Sequence, residues 1–244
     1  MRNVGIIMRR ELGSYFATPL AYVFLLVFLV FTNLFSFYLG GLYERGQADL
    51  YPFFNFHPWL YLFLCSAISM RVWAEERKTG TIELLITQPI TLWQAVLGKF
   101  LAAWAFAGLA LALTFPLWIT VNYLGDPDNG AILAAYIGSA VLAAGFLAIG
   151  SFMSALTRNQ VVAFILSVAA CFLFLLAGYP LVLDAFRAWL PPLIVDAIAS
   201  LSFLTHYDAI AKGVLDFGDL LFFAMLVAYF MLATAVVLDA RKSE

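Results

Sequence analysis

Residues 20–41 read LAYVFLLVFLVFTNLFSFYLGG and contain no charged side chain. A helix of about 20 apolar residues is long enough to cross the hydrocarbon core of a bilayer. The end of the run, Leu39-Gly40-Gly41-Leu42, lacks the small-residue pattern at which a signal peptide is cleaved. We therefore expect a membrane-spanning helix that is retained as an anchor.

Five further apolar runs follow along the chain, and no long polar stretch separates them. Together with the first run they define six predicted spans: Leu20–Gly41, Phe53–Val72, Gly98–Leu124, Ala131–Leu156, Val161–Tyr179 and Gly218–Leu238. Helices satisfy all of their backbone hydrogen bonds internally, as lipid requires. The sequence predicts an all-α integral membrane protein, with residues 1–244 forming a single transmembrane domain.

The composition supports a membrane protein. Hydrophobic residues make up 64% of the chain and charged residues 11%, against about 45–50% and about 25% in soluble domains. A soluble fold of 244 residues has too much surface to hide that apolar content. The net charge of −2 says nothing about nucleic acid, and no basic patch outside the juxtamembrane segments suggests it, so we expect no nucleic-acid partner. Cys65 and Cys171 lie in apolar runs and are predicted to be buried thiols without a disulfide.

The basic residues predict the orientation, because cytoplasmic loops carry an excess of Lys and Arg. With the N-terminus inside, ten basic residues lie in inner segments: Arg2, Arg9, Arg10, Arg71, Arg77, Lys78, Lys99, Arg158, Arg241 and Lys242. Three lie in outer segments: Arg45, Arg187 and Lys212. We expect both termini in the cytoplasm.

The segment Asn3–Thr18 is predicted to be an amphipathic helix in the inner interface, its arginines facing lipid phosphates. Its apolar stripe consists of Val4, Ile7, Met8, Leu12 and Tyr15. Glu11 interrupts this stripe. Either Glu11 pairs with a basic residue of the first inner loop, or the helix rotates and leaves Glu11 solvated.

The first inner loop, Trp73–Lys99, holds most of the polar residues on the inner side. The charged run Glu75–Lys78 is predicted to continue the second span as helix, and Gly80 to end it in a C-cap or tight bend. Thr91 with Gln94 forms a capping box that starts the next helix.

A short helix, Ile82–Thr87, is predicted between these two points. Thr81 caps it, Glu83 lies in its first turn, and Pro89 prevents its continuation. It carries four apolar side chains, Ile82, Leu84, Leu85 and Ile86. Such a cluster on an inner element needs a cover, and spacing alone leaves two interpretations: a plug that docks into a partner, or a helix that rests on lipid headgroups.

The outer segment Gly178–Phe217 is long and apolar for a loop, which makes a structureless conformation improbable. We expect two short helices on either side of Pro191-Pro192, dipping into the outer interface. They form either an outer gate or a cap over the helix ends.

Several kinds of chemistry are missing from the sequence. Nothing ionisable lies in the middle of a predicted span, which argues against a proton- or sodium-coupled transporter. The phosphate-binding loop is absent, since Gly98-Lys99-Phe100 has neither the upstream glycine nor the hydroxyl. The chain is therefore expected not to be an enzyme, and ATP-driven work must come from another polypeptide.

His57 and His206 are interpreted as packed or interfacial histidines rather than metal ligands.

Two features of the spans concern packing. Phe24, Phe28, Phe31 and Phe35 form a stripe along the first span, and the fourth span is rich in small residues that permit close helix contacts. Asn33, deep in the first span, either lines a pathway or, as we favour, bonds to a neighbouring helix.

The inner loop resembles a known family. The run Glu75-Glu76-Arg77-Lys78-x-Gly80-Thr81-Ile82-Glu83-Leu84-Leu85, followed by Pro89, is similar to the first cytoplasmic loop of type 2 ABC transporter permeases, and Gly98-Lys99 fits as well. The likeness covers nearly the whole chain. The segments Ser202–Tyr207, Lys212–Asp216 and Asp219-Leu220 resemble more narrowly the GldF branch, named for gliding motility.

The resemblance implies an exporter of the bacterial inner membrane, in which two permease chains, alike or different, form a dimer above two ATPase subunits that bind ATP and magnesium. The short helix is then the coupling helix, with Leu84 and Leu85 in an ATPase groove. Glu75, Glu76 and Glu83 then pair with the basic rim of that ATPase groove. The docking set also includes Arg77, Gly80, Thr81 and Pro89.

The resemblance also gives the Phe24–Phe35 stripe a possible role at the dimer interface, and it adds a periplasmic auxiliary protein as a possible partner. The alternative is a scaffold or force transmitter, driven by the same kind of ATPase, that moves no cargo.

Overall fold

The computed structural model describes residues 2–42, 44–81, 90–187 and 189–240, and within them every regular element is helical. The helices are α1 Arg2–Phe16, α2 Pro19–Leu39, α3 Tyr51–Asn55, α4 His57–Ser69, α5 Ala74–Thr79, α6 Leu92–Ala112, α7 Phe115–Leu124, α8 Asn129–Leu156, α9 Gln160–Leu176, α10 Pro180–Arg187, α11 Pro192–Ala199, α12 Phe203–Ala211 and α13 Phe217–Ala240. The last turn of α2, Phe35–Leu39, is π-helical. The predicted all-α fold is confirmed.

Among the described residues, four stretches are long and apolar enough to cross a membrane: α2, α6 together with α7, α8 and α13. Two bent pairs raise the number to at most six, namely α9 with α10, bent by 73°, and α11 with α12, bent by 55°. The chain is thus an integral membrane protein with four to six candidate crossings. Five of these candidates overlap a predicted span, the pair α11 with α12 lies in the predicted outer segment, and the second predicted span has no counterpart among them.

The second predicted span, Phe53–Val72, is wrong as a single helix. The chain breaks at Phe56, between α3 and α4. Pro52 and Pro58 lie in the first turns of these two helices, where the missing N–H is tolerated, and Pro58 prevents α3 from continuing. The 13 residues of α4 rise about 20 Å, less than the hydrocarbon thickness of about 30 Å.

The outer segment contains three short helices, α10, α11 and α12, where two were predicted. Pro191-Pro192 separates α10 from α11, as expected. The third helix begins because the Ser202 side chain accepts hydrogen bonds from the backbone N–H groups of Leu204 and Thr205. This N-cap divides a continuous apolar run that hydropathy alone treats as one element.

The core forms around α8, which packs against α4, α6, α9, α12 and α13. Small residues make these close contacts possible. A Cβ atom on Gly138 would overlap Ile210 of α12, and one on Gly150 would overlap Ser69 of α4. The small residues of the fourth predicted span therefore serve packing within the chain at these positions.

The outward faces of the long helices are apolar. On α13 the exposed side chains follow a helical stripe: Leu221, Met225, Tyr229, Leu232 and Val236. A stripe of this kind is covered by lipid or by another subunit. Tyr123 and Trp189, both strongly exposed on the predicted outer side, are of the type that collects at the membrane–water interface.

Candidate functional site

A buried lysine near the start of α6 joins three helices. The Nζ atom of Lys99 lies 3.3 Å from Oε2 of Glu11 on α1 and 2.9 Å from Oε1 of Glu76 on α5. It also donates to the Val72 carbonyl at 3.1 Å and lies 5.2 Å from the centroid of the Trp73 ring. Only 4% of the Lys99 side chain is exposed. Lys99, Glu11 and Glu76 form the Lys99 cluster, which ties α1, α5 and α6 together.

The cluster forms because α1 lies directly against α6. Gly98 permits the contact, since a Cβ atom there would come within 2.7 Å of the Ile7 side chain. Burial by itself would raise the pKa of Glu11, but the positive charges of Lys99 and Arg10 outweigh it and lower that pKa below 4.5. Glu11 is therefore ionised at neutral pH, and its predicted pairing with a basic residue of the first inner loop is confirmed.

The start of α5 is held by α8. The Ser154 hydroxyl accepts hydrogen bonds from the backbone N–H groups of Trp73 and Ala74, each at 3.1 Å, and donates to the Met70 carbonyl at 3.1 Å. The Trp73 indole N–H donates to the Ser151 hydroxyl at 3.0 Å. The first N–H groups of a helix have no partner within it, so a distant helix supplies the cap of α5.

Specific contacts also fix the C-terminal end of α5. The Arg77 guanidinium donates to the Ala155 carbonyl at 2.6 Å, where the negative end of the α8 dipole favours a cation. Gly80, with φ +72°, ends α5 in the left-handed conformation. The predicted tight bend at Gly80 and the predicted capping box of Thr91 and Gln94 are both confirmed.

The predicted helical continuation of the second span into Glu75–Lys78 is wrong, because a turn over residues 70–73 separates α5 from α4. That turn forms because Ser154 binds the chain on both of its sides. The two carboxylates of α5 have partners within this chain: Glu75 pairs with Arg71 at 3.0 Å and Glu76 with Lys99. Thr81 is exposed.

The remaining predicted docking residues, Glu83, Leu84, Leu85 and Pro89, lie outside the described residues, as does the predicted helix Ile82–Thr87. A role of any member of the set in docking stays a prediction. Residues of α1, α5 and α6, with the turns beside them, line a cavity of about 390 Å³. Its charged lining consists of Glu11, Arg71, Glu75, Glu76 and Lys99.

An apolar groove runs between α2, α4 and α9 and has a volume of about 480 Å³. All four phenylalanines of the predicted stripe line it, together with α4 and one residue of α9. The lining is Val23, Phe24, Val27, Phe28, Phe31, Phe35, Trp59, Leu60, Phe63, Leu64, Ala67 and Phe164.

Asn33 has a different place from the one predicted. Its amide donates to the Leu29 carbonyl of its own helix at 2.7 Å, and it does not belong to the groove lining. The favoured hydrogen bond to a neighbouring helix is wrong because the carbonyl four residues earlier lies within reach of the same side chain.

The two histidines are packed side chains. His206 stacks on Phe222, and its ring nitrogens lie 2.6 Å from Asp219 Oδ1 and 2.9 Å from the Ser200 carbonyl. His57 is surrounded by aromatic rings and has no exposed surface. Across the described part of the chain, no group of three potential metal ligands comes together. Cys65 and Cys171 are buried free thiols, as predicted.

Comparison with known proteins adds two findings. Residues 60–240 match the family model described as ABC-2 family transporter protein. The curated relatives include the probable multidrug ABC transporter permease YbhS of Escherichia coli K12 and its counterpart in Escherichia coli O157:H7. Each is 26% identical over 166 residues, which cover 67% of this chain and 42% of the relative. The chain thus matches less than half the length of these relatives.

Proposed function

Since this chain belongs to the ABC-2 family of transporter proteins, we propose that it is the membrane-spanning permease subunit of an ATP-driven exporter. In this proposal a separate ATPase subunit binds and hydrolyses ATP with magnesium, and this chain moves the cargo. The observation that carries the proposal is the way the bundle holds α5. This helix leads directly into the segment that resembles a coupling helix.

Movement of a docked ATPase would reach the membrane helices through α5. Ser154 attaches the start of α5 to α8, and the Lys99 cluster attaches its side to α1 and α6. Packed helices transmit displacement because their interiors are nearly incompressible. A force on the segment after Gly80 would therefore act on α1, α6 and α8 together.

Docking itself is proposed to use Leu84 and Leu85 as the apolar plug, with Glu83 and Glu75 facing a basic rim of the ATPase. Glu75 is suited to this, because 43% of its side chain is exposed. Glu76 is proposed to act inside the chain instead, through Lys99.

Further parts of the proposal concern the assembly and its location. A second permease chain, alike or homologous, is proposed to face the Phe24–Phe35 stripe, and the dimer to lie in a bacterial inner membrane with both termini in the cytoplasm. The GldF branch is inferred from the outer residues, where Ser202 caps α12 and His206 joins Asp219 of α13. A periplasmic auxiliary protein would meet this outer surface.

The docking proposal is tested by the double substitution Leu84→Asp with Leu85→Asp. Charged side chains cannot fill an apolar groove without desolvation, so the variant should insert in the membrane but lose the ATPase on affinity purification. The matched control is Thr91→Asp, which adds charge to the same loop and keeps an N-cap residue. Retention of the ATPase by the double variant would refute the docking assignment.

Transport is tested separately, in liposomes that contain the chain together with its ATPase. ATP-dependent movement of an apolar dye across the bilayer supports an exporter. ATP hydrolysis that depends on this chain but moves no dye or other cargo would indicate the scaffold or force transmitter.

A further inference from the structure

His206 of α12 has an oxygen atom beside each of its two ring nitrogens. Its Nδ1 atom lies 2.6 Å from Oδ1 of Asp219, in the first turn of α13. Its Nε2 atom lies 2.9 Å from the carbonyl of Ser200, the residue that ends α11. The ring also stacks on Phe222 of α13, with centroids 4.0 Å apart and the planes 20° from parallel. One imidazole therefore connects α11, α12 and α13, and we call this arrangement the His206 contact.

The His206 contact needs two protons. A carbonyl oxygen can only accept a hydrogen bond, so Nε2 must carry a hydrogen to bond to Ser200. An ionised carboxylate also only accepts, so the short contact between Nδ1 and Asp219 needs a second proton, on the ring or on the acid. A neutral imidazole has one N–H and satisfies one of the two oxygens. The contact is therefore complete only when the pair of His206 and Asp219 holds one proton more than a neutral histidine beside an ionised aspartate.

The neighbouring helices favour placing this proton on the ring. Ser200 is the C-cap of α11, where the negative end of the helix dipole favours a cation. Asp219 lies in the first turn of α13, where the positive end favours an anion. The face of the Phe222 ring, which is parallel to the imidazole within 20°, also favours a cation. An imidazolium paired with a carboxylate fits all three surroundings.

Other helices that pack against α12 bring no further ion pair to His206. α8 and α9 contain no Asp, Glu, Lys, Arg or His, and their titratable side chains Tyr136 and Cys171 bond to other residues. The Tyr51 hydroxyl of α3 donates to Asp208 of α12. Within the part of the chain that the structure describes, Asp219 is therefore the ion-pair partner of His206.

The remaining charges close to this contact in the chain do not oppose a proton there. Lys212 of the same segment is paired with Asp208. Asp196 of α11 and Asp216, which accepts from the Gly218 N–H at the start of α13, are both carboxylates. A carboxylate attracts a proton to a nearby site at any distance over which it acts.

We propose that His206 and Asp219 form a proton-binding site that holds α12 against α13 and loosens this contact as the pH of the outer solution rises. The two side chains are 19% and 17% exposed, so water reaches the pair. Histidine is the side chain that ordinarily changes its charge between pH 5 and pH 8. Once the extra proton has left, the ring hydrogen serves Asp219 or Ser200 but not both, and a nitrogen lone pair faces an oxygen at the other position. Low pH therefore stabilises the contact and high pH weakens it.

The first measurement detects the proton directly, by 15N spectroscopy of labelled histidine in the full chain in lipid nanodiscs. The chain has two histidines, and the signals that disappear in His206→Gln belong to His206. At pH 6 both ring nitrogens of His206 should carry a hydrogen, and at pH 9 one of them should have lost it. Signals of His206 that are the same at pH 6 and pH 9 would overturn the proposal.

The second measurement detects the contact, by amide hydrogen exchange in a peptide covering residues 203–211. The rates are corrected for the intrinsic effect of pH on exchange, and a peptide from α8 serves as the internal reference. After correction, exchange in residues 203–211 should be about tenfold faster at pH 9 than at pH 6, as expected for the loss of one net hydrogen bond. Equal corrected rates at the two pH values would contradict a proton-dependent contact.

The variant Asp219→Asn separates the proton from the contact. The Asn amide can donate to an unprotonated Nδ1 while Nε2 donates to Ser200, so a neutral His206 satisfies both positions. Exchange in residues 203–211 should then be slow at both pH values. Asp184→Asn is the matched control, because it removes a carboxylate of the same outer segment that is 67% exposed and pairs with Arg187. This control should keep the pH dependence of the wild type.

A pH dependence that survives in Asp219→Asn would assign it to another group and overturn the proposal. The histidine spectra of the wild type keep the proposal falsifiable if this variant does not fold. None of these measurements contains an ATPase or a cargo. Failure of the proton site is therefore distinguishable from failure of the proposed permease function, which is read by co-purification and transport.

Discussion

Lys99 carries a charge that is almost completely removed from solvent and is balanced by two carboxylates from different helices. Taking a charge out of water is costly, and an ion pair offsets that cost only while all partners are in place. The sequence places Glu11 in an apolar stripe, and this pattern alone leaves open whether Glu11 is paired or solvated. It does not identify Lys99, because the pairing depends on the close contact between α1 and α6 at Gly98.

Replacing Lys99 by Met should destabilise the fold by about 3–5 kcal/mol, because it leaves Glu76 buried without its cation and leaves Arg10 as the remaining cation beside Glu11. The midpoint of thermal unfolding in detergent, followed by tryptophan fluorescence, measures the loss. Combining the change with Glu11→Gln and Glu76→Gln should recover most of it. Lys212→Met is the control, since the side chain of Lys212 is 54% exposed and an ion pair at the surface contributes little to stability. A midpoint no lower for Lys99→Met than for this control would contradict the role of the cluster.

The lowered pKa of Glu11 predicts a specific dependence of stability on pH. Its ordinary value is 4.5 and the folded value is lower, so the folded state favours the ionised form. This contribution is complete above pH 4.5 and is lost as the pH falls through the folded pKa. The fall in the unfolding midpoint between pH 6 and pH 3 should be smaller for Glu11→Gln than for the wild type. An identical pH profile for the two proteins would show that Glu11 has no such role.

Among the elements, α5 depends for its stability on other parts of the chain. Its six residues are too few for an isolated helix, because nucleation is unfavourable. The sequence predicts its end at Gly80 from a local rule. Its start depends on Ser151 and Ser154 of α8, which the sequence presents only as small residues of a tightly packed helix. A cap supplied from about 80 residues away leaves no local signal.

Ser154→Ala removes the acceptor of two backbone N–H groups and a donor to a third residue, and each unsatisfied buried group costs about 1–3 kcal/mol. Amide hydrogen exchange in a peptide covering residues 70–79 should become faster while exchange in α8 stays slow. Ser200→Ala is the control, because its hydroxyl is exposed and bonds only to a carbonyl three residues earlier. Equal protection of residues 70–79 in both variants would contradict the capping role of Ser154.

The breaks between helices also have two kinds of cause: residues at the break itself, and contacts with distant parts of the chain. Pro52 and Pro58 were visible in the sequence, yet hydropathy averages across them and predicts one span where α3 and α4 stand. The sequence predicts that the fifth span ends at Tyr179. It does not predict the bend of 73° between α9 and α10, which starts at Pro180. The sequence therefore predicts correctly that the described elements are helices. It does not predict how long each helix is, because prolines and caps set the helix ends, and an average of hydropathy over many residues does not detect them.

For the whole molecule, the composition predicts the membrane and the helices, and the structure agrees. The number of crossings is less determined, because four helices are long enough alone and two bent pairs allow six at most. The orientation stays a prediction from the ten inner and three outer basic residues.

The orientation is checked with single cysteines at Thr79 and Asp126, which are both exposed and lie in a predicted inner and a predicted outer segment. Cys65 and Cys171 are buried, so the background from native thiols is low. A membrane-impermeant maleimide should label Asp126→Cys in intact spheroplasts and Thr79→Cys only in inverted vesicles. The reverse pattern would mean that the topology is inverted. Labelling of both cysteines from the same side would mean that an even number of crossings separates residues 79 and 126.

The attachment of α5 to α8 also sets an order of events during synthesis. Trp73 and Ala74 leave the ribosome about 80 residues before Ser154, which caps them. Until α8 has been inserted, the nascent first loop has neither its cap nor the carbonyl that binds Arg77. An ATPase that recognises the finished loop would then associate only with chains whose first 155 residues are in place, which would keep incomplete permeases out of the assembled transporter.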